Sequence, residues 1–171
     1  MNQVETVFRG QVITVNVEQV ALPNGDTGRY EIVHHPGGAA VVAVDAEERV
    51  CLIRQYRPAA AGWVWELPAG RLEPGEPPEA TARRELQEEA GRTASHWESL
   101  GSILSSPGVF AETIHLYLAR DLASVPQQLE RHELIEVHWL PLAEGVAKAL
   151  SGELRDAKSV IGLVRAAARR G

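Results

Sequence analysis

Three carboxylates, Glu85, Glu88 and Glu89, stand within a five-residue stretch, directly after Arg83 and Arg84, in the segment GRLEPGEPPEATARRELQEEAG (residues 70–91). On an α-helix Glu85 and Glu89 lie about 40° apart around the axis, and Glu88 about 60° to the other side of Glu85. The three therefore share one broad face. Ala82, Leu86 and Ala90 form the adjoining apolar stripe, which should turn toward a core and leave the carboxylates at its edge. Like charges held where water is partly excluded raise one another's pKa unless a cation neutralises them. A hard divalent cation does this with oxygen ligands, and Mg²⁺ suits one or two carboxylates together with phosphate oxygens. The plainer alternative is a solvated acidic face paired with Arg83 and Arg84.

Such a helix needs a scaffold, and the flanking sequence supplies its ends. Pro77 and Pro78 suit the start and Gly91 the finish. Upstream, QVITVNVEQVAL alternates as a half-buried strand does, PNGDTG carries hairpin-turn residues, and RYEIVHH reads as the returning strand. AAVVAVDAEERVCLIRQYR reads as two core strands joined by a turn at residues 45–48, and WVWELPAG as a short strand ending in a Pro/Gly turn. Downstream, WESLGSILSSPG and ETIHLYLAR form a strand pair around a loop at Pro107 and Gly108, and ELIEVHWLPL a further strand. Leu142, Val146 and Leu150 predict a helix after Pro141, and a second helix runs from about Asp156 to Ala168. The expectation is an α/β fold forming one domain over residues 1–171, with residues 1–35 as an N-terminal antiparallel β-hairpin extension and 36–171 as the core.

Composition narrows the partners. A formal net charge of −6 argues against a general nucleic-acid binder but leaves a small anionic substrate open, because local arginines or a metal suffice for it. No apolar run reaches the roughly 18 residues of a membrane span. The opening MNQVETVFRG lacks a basic stretch followed by an apolar one, so a cytoplasmic location is expected. The single cysteine, Cys51, excludes an internal disulfide and a multi-thiolate zinc site.

The spacing Gly70, Glu76, Arg84, Glu85, Leu86, Glu88, Glu89, Gly91 fits G-x5-E-x7-R-E-U-x-E-E-x-G. This resembles the Nudix box of hydrolases that split a diphosphate linked to another moiety. The box usually closes on an aliphatic residue, where this chain has Arg92. The resemblance implies an α/β/α sandwich with a mixed sheet. It implies Glu85, Glu88, Glu89 and the Ala69 carbonyl as metal ligands, Arg84 as the residue orienting the glutamates, and Glu76 as a tie between loop and helix. The implied cofactor is Mg²⁺, with Mn²⁺ as an alternative.

QYR, WELPAG, SPGVFAE and GELRDAKS together resemble the ADP-ribose pyrophosphatase branch of that family. The implied reaction is hydrolysis of ADP-ribose to AMP and ribose 5-phosphate. The alternatives are another nucleoside diphosphate sugar, an oxidised nucleotide, or an inactive nucleotide-binding domain. Arg54 and Arg57 could hold phosphate oxygens by paired hydrogen bonds, with Arg71 a weaker candidate. Glu112 matches a ribose-contacting position. Of Trp63 and Trp65, on one short strand, at least one is expected in the core, and the other could stack on a base. A general base on a late loop is expected from Glu130, Glu133 or Glu136, with Glu133 favoured because it stands just before the strand, and Glu88 as the rival. The branch commonly exchanges its N-terminal region between two subunits, so a homodimer is expected, with Ile13, Val15 and Val17 needing cover.

Overall fold

The computed structural model describes residues 3–129 and 131–170. Its centre is a mixed sheet of β7 (Ala69–Arg71), β4 (Gly38–Ala43), β10 (Thr113–Ser124) and β8 (Arg92–Leu104), in that order. β4 runs parallel to β10, and the other two pairings are antiparallel. Every residue of β4 is buried. Ala40 and Val42 pack into one apolar cluster with Leu142, Leu163 and Ala166, while Val41 and Ala43 pack into another with Leu86 and Ala90. A strand covered on both faces reads as an unbroken apolar run, as AAVVAV does.

The covering layers are α1 (Pro78–Ala90) on one face and α2 (Leu142–Ser151) with α3 (Ala157–Ala167) on the other. The expected α/β/α sandwich is therefore the observed one. α1 starts on Pro78 without a side-chain cap and stops at Gly91, whose φ of +61° favours glycine. Leu86 is fully buried, worth about 2–3 kcal/mol of transfer free energy to the anchoring of the helix.

β5 (Arg49–Arg57) does follow β4 through a turn, yet the two separate after one bridge, Val44 to Val50. β5 instead pairs with β11 (Ile135–Pro141) and β6 (Gly62–Glu66) in a three-stranded sheet. The N-terminal hairpin is β2 (Thr14–Ala21) with β3 (Thr27–His34). A strand that the alternation pattern did not reveal, β1 (Val4–Arg9), adds to its outer edge, and β9 (Phe110–Ala111) pairs parallel to β3. β1 is exposed throughout, with Val4, Val7 and Phe8 each more than half exposed.

Candidate active site

The helical period places the box carboxylates as expected, and burial grades them. Glu89 is 2% exposed and Glu85 7%, whereas Glu88 has about a third of its side chain in water. Arg84 is the hub of the cluster. Its Nη1 donates to Glu85 Oε1 at 2.6 Å and Glu88 Oε2 at 3.1 Å, its Nε and Nη2 reach both oxygens of Glu76, and Nη2 also reaches the Arg71 carbonyl. Glu76 accepts in addition from Thr81 Oγ1 at 2.7 Å, so the loop before the helix is tied to its first turns. The Glu76 hydrogen bonds, reinforced by the Glu85 and Glu88 contacts, outweigh burial and raise the Arg84 pKa; in return, Arg84 lowers Glu76.

Glu89 Oε2 accepts from the Ala69 backbone N–H at 2.8 Å. Burial pushes the Glu89 carboxyl well above its ordinary value despite that bond, and the charges of Glu85 and Glu133 push the same way. Glu85 is raised too, chiefly by burial, because Arg84 only partly offsets it and Glu88 and Glu133 repel it. Gly70 leaves room beside this group: a Cβ there would displace the Glu85 carboxylate from its present position.

Among the described residues, no three His, Cys, Asp or Glu side chains converge on an ion as they stand. The carboxylate oxygens are turned instead to Arg84 and to the Ala69 N–H. The donor set nonetheless fits a hard divalent cation. It consists of oxygens only, and two of its carboxylates are buried with raised pKa values that an added cation would relieve.

A cavity of about 820 Å³ opens next to the cluster, with Ala69, Gly70 and Arg71 in its wall. It brings together Arg57, Glu112 and His35, from three separate stretches of chain. Glu112 lies 2.8 Å from Nδ1 of His35, whose ring stacks on Phe110. Arg57 is held side-on by Glu66, with Nε to Oε1 at 2.7 Å and Nη2 to Oε2 at 2.9 Å.

Arg54 does not join them. Residues 54 and 57 differ in parity along β5, so their side chains leave opposite faces. Arg54 stacks over Trp63 at 5.3 Å and lies 3.5 Å from Glu136. Glu136 is thereby engaged, with His138 also at 3.5 Å. Trp65 packs against the core, and Trp63 stays 39% exposed beside Tyr56. Glu130 lies outside the described residues. Glu133 sits in the loop before β11, and its charge is felt at both Glu85 and Glu89. That loop is steered by contacts absent from the sequence reading: Gln127 Nε2 donates to the Glu89 carbonyl at 2.6 Å and the Gln128 N–H to the Glu88 carbonyl at 3.0 Å. Arg92, the departure from the box, stacks over Trp139 at 5.4 Å and bonds Gly91 O and Ser124 Oγ, so it closes the far end of the helix.

Glu66, Asp156, Lys158 and Ser159 are further residues of this region, marked in the sequence only within the motifs WELPAG and GELRDAKS. Lys158 Nζ donates to Glu66 Oε2 at 2.5 Å and Asp156 Oδ2 at 3.0 Å. Glu66 is buried and Lys158 partly buried, in segments 92 residues apart that local periodicity cannot join.

A family model described as NUDIX domain matches residues 34–160. The chain is 40% identical over 157 residues to an ADP-ribose pyrophosphatase of Bacillus subtilis (strain 168), covering 91% of this chain and 85% of that protein. It is also 40% identical over 159 residues to a methanol dehydrogenase activator of Bacillus methanolicus, covering 92% and 86%. A solved structure titled "Crystal structure of ADP compounds hydrolase" superposes with a TM-score of 0.82 at 26% identity, over 98% of this chain and 91% of the other.

Proposed function

This chain belongs to the NUDIX domain family, and from that membership we propose that it hydrolyses the diphosphate of ADP-ribose to AMP and ribose 5-phosphate. The observation that carries the reading is the convergence of a carboxylate cluster, a substrate-sized cavity and a buttressed arginine at one end of the sheet. A divalent cation held by Glu85, Glu88, Glu89 and the Ala69 carbonyl would neutralise charge on the diphosphate oxygens and acidify the attacking water. Arg84 orients the three glutamates through its fork of donors. Arg57 presents its guanidinium edge to a phosphate oxygen, and Glu112 accepts from ribose hydroxyls. Water attacks one phosphorus in line, its proton passes to Glu133, and the bond from that phosphorus to the bridging oxygen breaks. Glu88 is the rival base inside the box.

Mg²⁺ is the ion we assign, with Mn²⁺ able to replace it. No described helix is long and apolar enough to cross a membrane, and a cytoplasmic location is our reading. The active form is proposed as a homodimer, because β1 leaves Val4, Val7 and Phe8 in water in the single chain. Residues 36–171 are read as the hydrolase core and 1–35 as its N-terminal extension.

Mass spectrometry of ADP-ribose incubated with the protein and Mg²⁺ tests the reaction. AMP and ribose 5-phosphate are expected, with no product after chelation. Product that survives thorough chelation would remove the metal from the mechanism. Faster turnover of other nucleoside diphosphate sugars or oxidised nucleotides would move the assignment to those substrates, and no turnover of any of them would leave a binding domain.

A further inference from the structure

The two motifs WELPAG and DAKS meet in the structure, and what they build points at Arg57. Asp156 caps α3 and accepts from the N–H and Oγ of Ser159. Ser159 Oγ in turn accepts from the Leu67 N–H at 2.7 Å. One residue earlier on each segment, Lys158 reaches Glu66. Residues 158 and 159 therefore dock residues 66 and 67 side by side.

Glu66 is 3% exposed, so its oxygens have no solvent to fall back on. Oε1 is taken by Arg57 Nε, and Oε2 is shared by Arg57 Nη2 and Lys158 Nζ. A carboxylate held by one arginine alone can swing with it. A carboxylate also held at Oε2 by an ammonium, itself anchored on a helix cap, is restrained against that swing. The pairing consumes the Nε and Nη2 edge of Arg57 and leaves Nη1 without a carboxylate partner among the described residues, on a side chain that lines the 820 Å³ cavity. The four charges also balance, two carboxylates against two cations, which lets Glu66 be buried while Arg57 keeps part of its side chain exposed.

We infer that Lys158 is a positioning residue for substrate binding, fixing Glu66 so that Arg57 meets the diphosphate of the substrate in one orientation. Lys158 and Glu66 line the same cavity as Arg57, but with the Lys158 ammonium committed to Glu66 and Asp156 its effect on the substrate passes through Arg57. The inference rests on the reading of Arg57 as a phosphate contact.

The test is a double-mutant cycle with steady-state kinetics on ADP-ribose and with calorimetric binding of AMP in the absence of metal. Lys158→Met should raise KM by about tenfold and weaken AMP to a similar degree, with kcat changed by less than about threefold, the size expected when one charge-assisted hydrogen bond is lost. Lys158→Arg should recover part of the loss. Arg57→Ala should raise KM at least as much, and adding Lys158→Met to it should cost nothing further, because the residue through which Lys158 acts is gone. Losses that multiply in the double variant would overturn the inference, by showing that Lys158 acts independently of Arg57. A large effect of Arg57→Ala beside wild-type kinetics in Lys158→Met would overturn it while leaving the Arg57 reading in place. Wild-type KM in Arg57→Ala would overturn both. If Lys158→Met fails to give the native circular dichroism spectrum, Lys158→Gln, which keeps a hydrogen-bond donor to Asp156, is subject to the same cycle and the same outcomes.

Discussion

Replacing Glu89 by glutamine should make the metal-free protein more stable and nearly inactive at once. Glu89 is 2% exposed, and its carboxyl is raised by burial first and by the Glu85 and Glu133 charges next. At neutral pH an ionised Glu89 costs stability, because the folded environment prefers the proton more than the unfolded chain does. Glutamine keeps the shape and still accepts from the Ala69 N–H. Removing a poorly compensated buried charge is worth about 2–3 kcal/mol. Weakening the Ala69 hydrogen bond from charge-assisted to neutral returns about 1 kcal/mol. The net gain of about 1–2 kcal/mol raises Tm by about 3–6 °C for a chain of this size. The sign with pH follows from linkage. A carboxyl whose folded pKa is raised contributes stability below its unfolded pKa and loses it as pH rises through the folded value. The advantage of Glu89→Gln should therefore grow as pH rises above the ordinary carboxylate range and vanish as pH falls below it. Thermal unfolding followed by circular dichroism in chelator measures it. Adding Mg²⁺ should raise Tm for the parent and much less for the variant. Release of AMP should fall by about a hundredfold or more, as for a disrupted metal site. A variant Tm at or below that of the parent in chelator at pH 7.5 would refute the claim that Glu89 carries an uncompensated charge. Parent-like turnover at saturating Mg²⁺ would refute its role as a ligand.

Two further outcomes concern the base and the assembly. Glu133→Gln should lower kcat by about a hundredfold with little change in metal affinity measured by calorimetry. A parent-like rate there, with a large loss in Glu88→Gln, would transfer the role to Glu88. Light scattering at micromolar concentration should give a dimer mass, and Phe8→Glu, on a strand exposed along its length, should shift it to a monomer. A monomeric parent chain would remove the dimer, and an unchanged dimer in the variant would place its interface elsewhere.

The parts of this protein that were legible in one dimension are those whose geometry is set within a single segment. The helical period alone puts Glu85, Glu88 and Glu89 on one face, and Leu86 and Ala90 against the sheet. Pro78 and Gly91 mark that helix because each restricts or permits a backbone conformation locally. The apolar run at residues 39–44 announces a strand covered twice. The opposite facing of Arg54 and Arg57 is likewise present in their parity, so only one of the two can line the cavity. β1 escaped because an edge strand exposed on both faces leaves no apolar alternation to read.

Other features depend on which segments stack, and no local pattern encodes that. β4 and β5 share a turn yet diverge into different sheets, since each finds a better partner elsewhere: β10 for one and β11 for the other. Glu133 comes under the influence of Glu85 and Glu89 because Gln127 and Gln128 fasten the preceding loop to carbonyls of α1. Glu66 and Lys158 meet across 92 residues because α3 packs on the same sheet face that receives Leu67. A buried carboxylate and a buried ammonium each cost free energy alone, so their pairing is decided only where tertiary packing brings both out of water together.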